Sequence, residues 1–279
     1  MDVKEVMQTA LTTVTPETRV STAYQMMTMR SARIRHLPVV TDEGILVGII
    51  TDRDVRHALA SDAPSMAEYE MTSLLDKLRV QDIMTPDVVT VHETTSVVQA
   101  GLLFLEKKFG CLPVVHDNRL AGIITITDLL RAYIRQASAA WLMGISIIMQ
   151  PHVITATPAM SLAEAQRVMR DKHIRHLPVV SGQRLVGIIT DRDLREATPS
   201  PATTLTRGEI AYQMETTLIA TCMTRDVMSA SPGFTMIDAA RILEQRKIGC
   251  LPVVDNGALV GIVTEMDCVR AFLETSRDA

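Results

Sequence analysis

The chain has 279 residues, of which 47% are hydrophobic, 22% are charged and 3% are aromatic, and its formal net charge is −4. This balance predicts a globular protein and excludes a general affinity for nucleic acid or anionic membranes. The N-terminus lacks the basic start and apolar core of a signal peptide. The longest apolar run, at 139–149, is shorter than the roughly 20 residues of a membrane span. We therefore expect a cytoplasmic protein that binds neither nucleic acid nor membranes.

Four internal repeats organise the chain. The string LPVV occurs at 37–40, 112–115, 177–180 and 251–254. Arg-His precedes it in the first and third repeats, which we call the odd repeats, and Gly-Cys precedes it in the second and fourth, the even repeats. The pattern therefore recurs with a longer period of about 140 residues, which indicates a duplicated pair of repeats.

Each repeat has the same predicted elements in the same order. A short β-prone run that ends in a breaker comes first, with the sequences LTTVTP, VVTVHE, VITATP and VMSASP. A helix follows, which in the third repeat begins behind a Ser161-x-x-Glu164 capping box. The matching apolar positions of the first repeat are Val20, Ala23, Met26 and Met27. Two apolar strands joined by a polar turn come next, and a second helix begins at a Thr-x-x-Asp motif. This order predicts β-α-β-β-α units of the α/β (α+β) class, with strands buried against helices.

The predicted boundaries follow from this order. The repeats occupy 1–60, 84–136, 149–199 and 223–279. Linker helices connect the repeats of each pair at 61–83 and 200–222, and a linker at 137–148 joins the two pairs. That last linker is rich in apolar residues and is a candidate surface for homodimer formation.

The Thr-x-x-Asp motif occurs in every repeat, as Thr51/Asp54, Thr125/Asp128, Thr190/Asp193 and Thr264/Asp267. A threonine N-cap with a carboxylate three residues later is a near relative of the capping box, so every copy is expected to cap a helix. The same geometry can serve a ligand. Free N–H groups at a helix start favour a phosphate, and a carboxylate can accept hydrogen bonds from ribose hydroxyls.

Basic residues gather in the odd repeats. They are Arg35, His36 and Arg53 in the first repeat and Arg175, His176 and Arg192 in the third. Arg53 and Arg192 stand at a predicted helix N-terminus, where a cation opposes the helix dipole, and an anionic ligand would resolve that conflict. The alternative is a surface arginine paired with Asp52 or Asp191. At the matching positions the even repeats have Thr127 and Met266.

A leading run ending in Thr-Pro, then RHLPVV, then LVGIITDRD, resembles the cystathionine-β-synthase (CBS) domain, and four tandem copies cover nearly the whole chain. Pairs of CBS domains form a Bateman module. The resemblance therefore implies two Bateman modules, which we expect to form a disc with pseudo-twofold symmetry. The first module is also similar to acetoin-utilisation-type CBS proteins. By resemblance, the motif Asp binds ribose with the motif Thr nearby, and Thr15 and Thr157, at the ends of leading runs, lie near the adenosine.

The resemblance implies a regulatory protein that is not an enzyme. We expect it to bind AMP, ADP or ATP as a regulatory ligand, to need no cofactor, and to signal occupancy to an unidentified protein partner. S-adenosylmethionine, NAD or a cyclic dinucleotide are alternative ligands, and an interaction scaffold with vestigial clefts is the alternative role. The expected ligand-binding residues are Thr15, Arg35, His36, Thr51, Arg53, Asp54, Thr125, Asp128, Thr157, Arg175, His176, Thr190, Arg192, Asp193, Thr264 and Asp267. Neither the cysteines nor the histidines have metal-ligand spacing, so no metal site is predicted.

Overall fold

The four repeats of the sequence are four β-hairpins with flanking helices. A computed structural model describes residues 1–28, 34–55, 58, 76–137, 139–198 and 205–275. The chain divides into two units, of which the first contains Met1–Asp128 and the second contains Leu129–Pro199 and Gly208–Ala279. Among the helices that the structure describes, none combines the length and the apolarity that a membrane crossing requires.

The first unit holds the first two repeats. Its elements are α1 (Val20–Thr28), β1 (His36–Val40), β2 (Leu46–Thr51), α2 (Val80–Ile83), β3 (Val91–His92), α3 (Val97–Lys107), β4 (Cys111–His116), β5 (Arg119–Thr125) and the start of α4 (Ile126–Arg135). Residues 52–55 are also helical. Strands β1 and β2 form one antiparallel hairpin, and β3, β4 and β5 form a second sheet in that order. Most of the linker helix predicted over 61–83 lies outside the described residues.

The second unit repeats this plan. Its elements are α5 (Leu162–Asp171), β6 (His176–Ser181), β7 (Arg184–Thr190), α6 (Asp191–Ala197), α7 (Arg207–Thr216), α8 (Met236–Arg246), β8 (Cys250–Asp255), β9 (Ala258–Thr264) and α9 (Glu265–Thr275). The four strands form one sheet in the order β6-β7-β9-β8. The predicted capping box is confirmed, because Glu164 N–H donates to Ser161 Oγ at 3.1 Å and Ser161 N–H donates to Glu164 Oε2 at 2.9 Å.

All four hairpins share one register. The first residue of the leading hairpin strand lies opposite the motif threonine in the pairs His36–Thr51, Cys111–Thr125, His176–Thr190 and Cys250–Thr264. The strands are closely packed: Leu37, Val39 and Ile50 of the first hairpin are fully buried. Helix α1 covers that core with Val20, Ala23 and Met27, as its periodicity predicts. The register therefore fixes each Thr-x-x-Asp motif at the same corner of its repeat.

The leading β-prone runs form much shorter strands than their sequences predict. In three repeats a single residue, Val14, Ala156 or Ala230, pairs in parallel with the next strand. A proline stands two positions after each of these residues, as Pro16, Pro158 and Pro232, and a proline has no N–H to continue a ladder. The second repeat has His92-Glu93 there instead, and only there does the run form a two-residue strand, β3.

The long segment of the first unit ends at Asp128, within α4, and the predicted linker at 137–148 belongs to the second unit. Side-chain contacts of the second half of α4 explain this. Tyr133 stacks on Phe272 with ring centroids 3.7 Å apart, and Arg131 Nε donates to Glu244 Oε1 at 2.8 Å. Residues from Leu129 onward thus pack with the second unit.

Within each unit the repeats exchange the segments that precede their leading runs. These exchange segments are Met7–Gln8, Met84–Thr85, Met149–Gln150 and Met223–Thr224. Each forms an antiparallel bridge with the second hairpin strand of the other repeat, at Ile123, Ile49, Ile262 and Ile188 respectively. The methionine Sδ lies above a strand glycine, and a Cβ built on Gly48 would come within 2.6 Å of Met84 Sδ. Every repeat therefore completes the corner that carries the Thr-x-x-Asp motif of its partner.

Candidate ligand-binding site

The four Thr-x-x-Asp motifs share one local geometry, which we call the Thr–Asp box. The aspartate Oδ2 accepts hydrogen bonds from both the N–H and the hydroxyl of the threonine, at 2.8 and 2.7 Å for Thr51, 2.9 and 2.6 Å for Thr125, 2.8 and 2.8 Å for Thr190, and 2.9 and 2.6 Å for Thr264. In return the threonine Oγ1 accepts the aspartate N–H. The predicted helix caps are confirmed in all four repeats. Because the threonine contacts use Oδ2, the box itself leaves Oδ1 as an available acceptor.

The even and odd boxes differ in what covers the carboxylate. In the even repeats Asp128 is 2% exposed and Asp267 is 7% exposed. Gln8 Nε2 donates to both carboxylate oxygens of Asp128, at 3.1 and 3.0 Å, and Gln150 Nε2 donates to Asp267 Oδ1 at 3.2 Å. Arg270 Nη1 lies 3.5 Å from the same Oδ1 of Asp267. The carboxylates of the even repeats are therefore already engaged by side chains of the chain itself.

In the odd repeats Asp54 and Asp193 are half-buried. Within the described residues, the only side chain recorded donating to either carboxylate is the threonine of its own box. The exchange segments place Thr85 and Thr224 beside these boxes where Gln8 and Gln150 stand in the even repeats. A threonine side chain is two atoms shorter than a glutamine and has no amide. The odd carboxylates thus retain an acceptor oxygen at a capped helix start.

The arginines of the odd repeats come to the same corner. Arg35 and Arg175 are exposed, and their carbonyl oxygens accept the N–H groups of Asp52 at 3.4 Å and Asp191 at 2.9 Å. Each therefore lies beside the residue that precedes the helix arginine. Arg192 Nε donates to Glu196 Oε1 at 2.8 Å, whereas Asp191, its partner in the alternative reading, pairs with Arg195 at 2.7 Å.

The histidines of the odd repeats contact the partner repeat. His36 and His176 begin β1 and β6 opposite the motif threonines. A Cβ built on Gly110 would lie 2.7 Å from His36 Nε2, and one built on Gly249 would lie 2.7 Å from the His176 ring. The Gly-Cys of the even repeats and the Arg-His of the odd repeats are thus two sides of one contact, since the imidazole ring occupies the space that any larger residue would need.

The two leading-run threonines lie elsewhere. Val14 pairs with Val39 and Ala156 pairs with Val179, whereas the motif threonines lie opposite the first residues of β1 and β6. Three residues of strand span about 10 Å. Thr15 and Thr157 are therefore at the opposite ends of these strands from the Thr–Asp boxes of their own repeats.

Two clefts run along the hairpin strands. In the first unit a cleft of about 470 Å³ is lined by residues of β2, including Val47 and Gly48, and by Asp87, Val88 and Thr90, which follow an exchange segment. In the second unit a cleft of about 330 Å³ is lined by residues of β9 and by Pro151, Val153 and Thr155, which also follow an exchange segment. Both clefts open at the hairpin ends of these strands, and Gly48 is the lining residue nearest in sequence to a box, three residues before Thr51.

The family model of the CBS domain matches residues 3–61, 80–135, 145–200 and 219–274. These four matches cover most of the chain and include every Thr–Asp box. The chain belongs to the CBS-domain family. Its four CBS domains form two Bateman modules, as the sequence predicts.

Two proteins of similar length, and one of about half the length, are similar to this chain. A protein of Methanocaldococcus jannaschii, MJ1225, is 33% identical over 271 residues, which are 94% of this chain and 95% of that protein. The crystal structure of MJ1225, described as a proposed archaeal homologue of γ-AMPK, matches with a TM-score of 0.77 at 30% identity and covers 98% of this chain and 100% of that chain. A conserved protein from Pyrococcus horikoshii matches with a TM-score of 0.66 at 25% identity, covering 98% and 100% of the two chains. A protein from Vibrio cholerae described as an acetoin utilisation protein covers 49% of this chain and 92% of that chain at 27% identity, with a TM-score of 0.42.

Two CBS-domain residues with a direct role at the boxes are missed by sequence reasoning. Gln8 and Gln150 lie outside every motif that draws attention, and their carboxylate partners are 120 and 117 residues away in sequence. A signal is nevertheless present. Met-Gln and Met-Thr alternate ahead of the four leading runs, with glutamine in the odd repeats and threonine in the even ones. The exchange of segments reverses this assignment, so each glutamine serves an even box.

Proposed function

We propose that this chain is a non-catalytic regulatory protein that binds an adenine nucleotide, AMP, ADP or ATP, and signals its occupancy through a rearrangement of its CBS modules. The observation that carries the proposal is the pair of odd Thr–Asp boxes. Asp54 and Asp193 each present a carboxylate whose Oδ2 is held by a threonine, while no other described side chain is recorded donating to Oδ1.

A ribose diol suits this arrangement. Two vicinal hydroxyls can donate to a fixed carboxylate, as they do to the acidic residue of dinucleotide-binding folds. Because the Thr–Asp box orients the carboxylate before a ligand arrives, little ordering is required on binding. The box also caps the helix, so its geometry is maintained by the stability of the fold.

The arginines of the odd repeats support a phosphorylated ligand. Arg53 and Arg192 occupy the first turn of their helices, where the dipole disfavours a cation, and Arg35 and Arg175 lie beside them. A phosphate between such guanidinium groups would form charge-assisted hydrogen bonds. The description of MJ1225 as a proposed homologue of γ-AMPK also favours a regulatory role for a relative that spans the whole chain.

The proposal assigns no reaction to the chain. Thiols are the strongest nucleophiles of the sequence, and burial raises the pKa of Cys111, Cys250 and Cys268 to about 12. These thiols are therefore protonated and poorly reactive at neutral pH. The pKa of the fourth thiol, Cys222, is also raised, by its burial and by the negative charge of Asp193.

A second candidate is an adenosyl ligand without phosphate, such as S-adenosylmethionine, bound in the third repeat. The observation that favours it is the ion pair of Arg192 with Glu196, which provides the guanidinium with a partner on its own helix. The first repeat has His57 at the position of Glu196. The two odd boxes can therefore differ in their preference for phosphate.

Substitution of the odd carboxylates tests the proposal. We expect Asp54→Asn and Asp193→Asn each to weaken the binding of AMP at the substituted box tenfold or more, because asparagine remains a competent helix-end residue but loses the charged acceptor. Isothermal titration calorimetry with AMP, ADP, ATP, adenosine and S-adenosylmethionine measures this. Tighter binding of AMP than of adenosine would support the role of the arginines. Binding of AMP that is unchanged in the double variant would move the site elsewhere, and no binding of any probe would favour the scaffold.

A further inference from the structure

The amide groups of Gln8 and Gln150 take the place at the even boxes that a ribose would need. Gln8 Nε2 is within hydrogen-bonding distance of both oxygens of Asp128, and Gln150 Nε2 reaches Oδ1 of Asp267, the oxygen that its box leaves available. The assignment of nitrogen rather than oxygen to these positions follows from chemistry, since an amide oxygen facing a carboxylate would be repelled and would form no hydrogen bond.

Backbone geometry holds the glutamines in place. Gln8 N–H donates to the Ile123 carbonyl at 2.9 Å and Ile123 N–H donates to the Gln8 carbonyl at 3.0 Å. Gln150 forms the same pair of bonds with Ile262, at 2.8 and 3.1 Å. Ile123 and Ile262 each precede a motif threonine by two residues, so the amide is directed toward the box by the strand pairing and not by a flexible loop. The glutamine side chains are themselves exposed, whereas the aspartates beneath them are buried.

The odd boxes provide the comparison. Thr85 exchanges the same two bonds with Ile49, at 2.9 and 3.0 Å, and Thr224 exchanges them with Ile188, at 2.9 and 2.9 Å. The backbone hydrogen bonds at this position are therefore the same in all four repeats, and only the side chain of the exchange segment, glutamine or threonine, differs. Where it is glutamine the carboxylate is covered, and where it is threonine the carboxylate is half-buried and can be reached from solvent.

We infer that Gln8 and Gln150 act as covers that close the even boxes to ribose, and that the chain binds its ligand at two boxes, those of Asp54 and Asp193. The inference rests on the proposed function, and it adds the number and identity of the occupied sites. A ligand at an even box would have to replace charge-assisted hydrogen bonds that the protein already makes, and it would find Thr127 or Met266 where the odd boxes have an arginine. Both effects favour the odd boxes.

Transfer of the cover to the odd boxes tests the inference. In Thr85→Gln the new amide stands on the same backbone frame as Gln8 and should reach Asp54. Calorimetry with AMP is expected to give two sites per chain for the original protein, one for Thr85→Gln, and binding weakened at least tenfold throughout for Thr85→Gln/Thr224→Gln. The matched control is Thr85→Met/Thr224→Met, which has similar length without amide donors and should retain both sites within a few-fold in affinity.

Each alternative result is decisive. Methionine variants that lose binding as the glutamine variants do would show that bulk, rather than an amide cover, closes a box. Four equivalent sites in the original protein, or two sites retained in Thr85→Gln/Thr224→Gln, would overturn the inference while leaving the proposed function intact. If no protein binds AMP or S-adenosylmethionine, the proposed function fails. In that case the contact between Gln8 and Asp128 is tested by urea unfolding of Gln8→Thr, Asp128→Asn and the double variant. Additive effects of the two substitutions on the free energy of unfolding would show that Gln8 does not hold Asp128.

Discussion

The odd and even repeats have one fold and one hairpin register, but their chemistry is complementary. The odd repeats contribute imidazole rings and arginines, and the even repeats contribute the glycines on which the rings rest. In the exchange segments, the odd repeats supply the glutamines that cover the carboxylates of the even repeats. We therefore expect a change at one of these positions to require a change at its counterpart. The pair of repeats, rather than the single repeat, is therefore the unit in which these residues can be understood.

The comparison separates two roles of one motif. In all four repeats the Thr–Asp box caps a helix, and in the even repeats the same aspartate also satisfies a glutamine amide while almost fully buried. The even carboxylate is thus a part of the packed structure. The odd carboxylate has the cap alone among its described hydrogen bonds, and its residue is half-buried.

The largest expected effect is the loss of stability on removing an even carboxylate. Asp128→Ala removes an almost fully buried carboxylate that accepts hydrogen bonds from the N–H and hydroxyl of Thr125 and from the amide of Gln8, which should cost about 3 kcal/mol. Asp54→Ala removes a more exposed cap and should cost about 1 kcal/mol. Urea unfolding of the two variants measures the difference. Equal losses would show that the glutamine adds nothing to the even box.

The contact between imidazole and glycine gives the next effect. In Gly110→Ala the new methyl would lie 2.7 Å from His36 Nε2, so the ring must move, and overpacking of this kind should cost about 1.5 kcal/mol. His36→Ala in the same chain removes the conflict, and the double variant should be less destabilised than the sum of the two single variants. Thermal unfolding of the three variants gives this coupling.

A control for these three variants is Gly233→Ala, where the added methyl would lie 3.9 Å from Ser231 Oγ. Its effect should stay within about 0.5 kcal/mol, as is usual for a substitution away from tight contacts. A cost for Gly110→Ala no larger than this, or no recovery with His36→Ala, would mean that the alternation of Arg-His and Gly-Cys has no packing cause.

Much of the fold follows from sequence because its determinants are local. The hairpins, the helix caps at Thr51 and Thr190 and the capping box at Ser161 depend on residues three to fifteen positions apart, and the repetition of the pattern reinforces each one. The partner of Gln8 is instead set by the exchange of segments between repeats, which no spacing within a repeat reveals. Likewise, the packing of the His36 ring against Gly110 connects the Arg-His and Gly-Cys motifs, and their sequences alone do not indicate this contact.

The smallest effect concerns the residue that the even repeats have in place of histidine. Cys111 begins β4 opposite Thr125, where His36 begins β1 opposite Thr51. The thiol is buried, and burial raises its pKa to about 12, whereas a thiol in the unfolded chain has a pKa of about 8.5. The folded state therefore favours the protonated thiol. This contribution to stability is complete below the unfolded pKa and is lost as the pH rises toward the folded value.

The expected consequence is a pH-dependent cost of Cys111→Ala. At pH 7.5 the original protein is more stable, because the alanine variant has lost buried atoms. By pH 9.5 ionisation of the thiol in the unfolded chain should remove about 1 kcal/mol of that advantage. Urea unfolding of both proteins at the two pH values measures the change in their difference, and the other thiols and tyrosines titrate in both and cancel. A difference that stays constant would show that water reaches Cys111, and that the starts of the even hairpins are no better sealed than those of the odd hairpins.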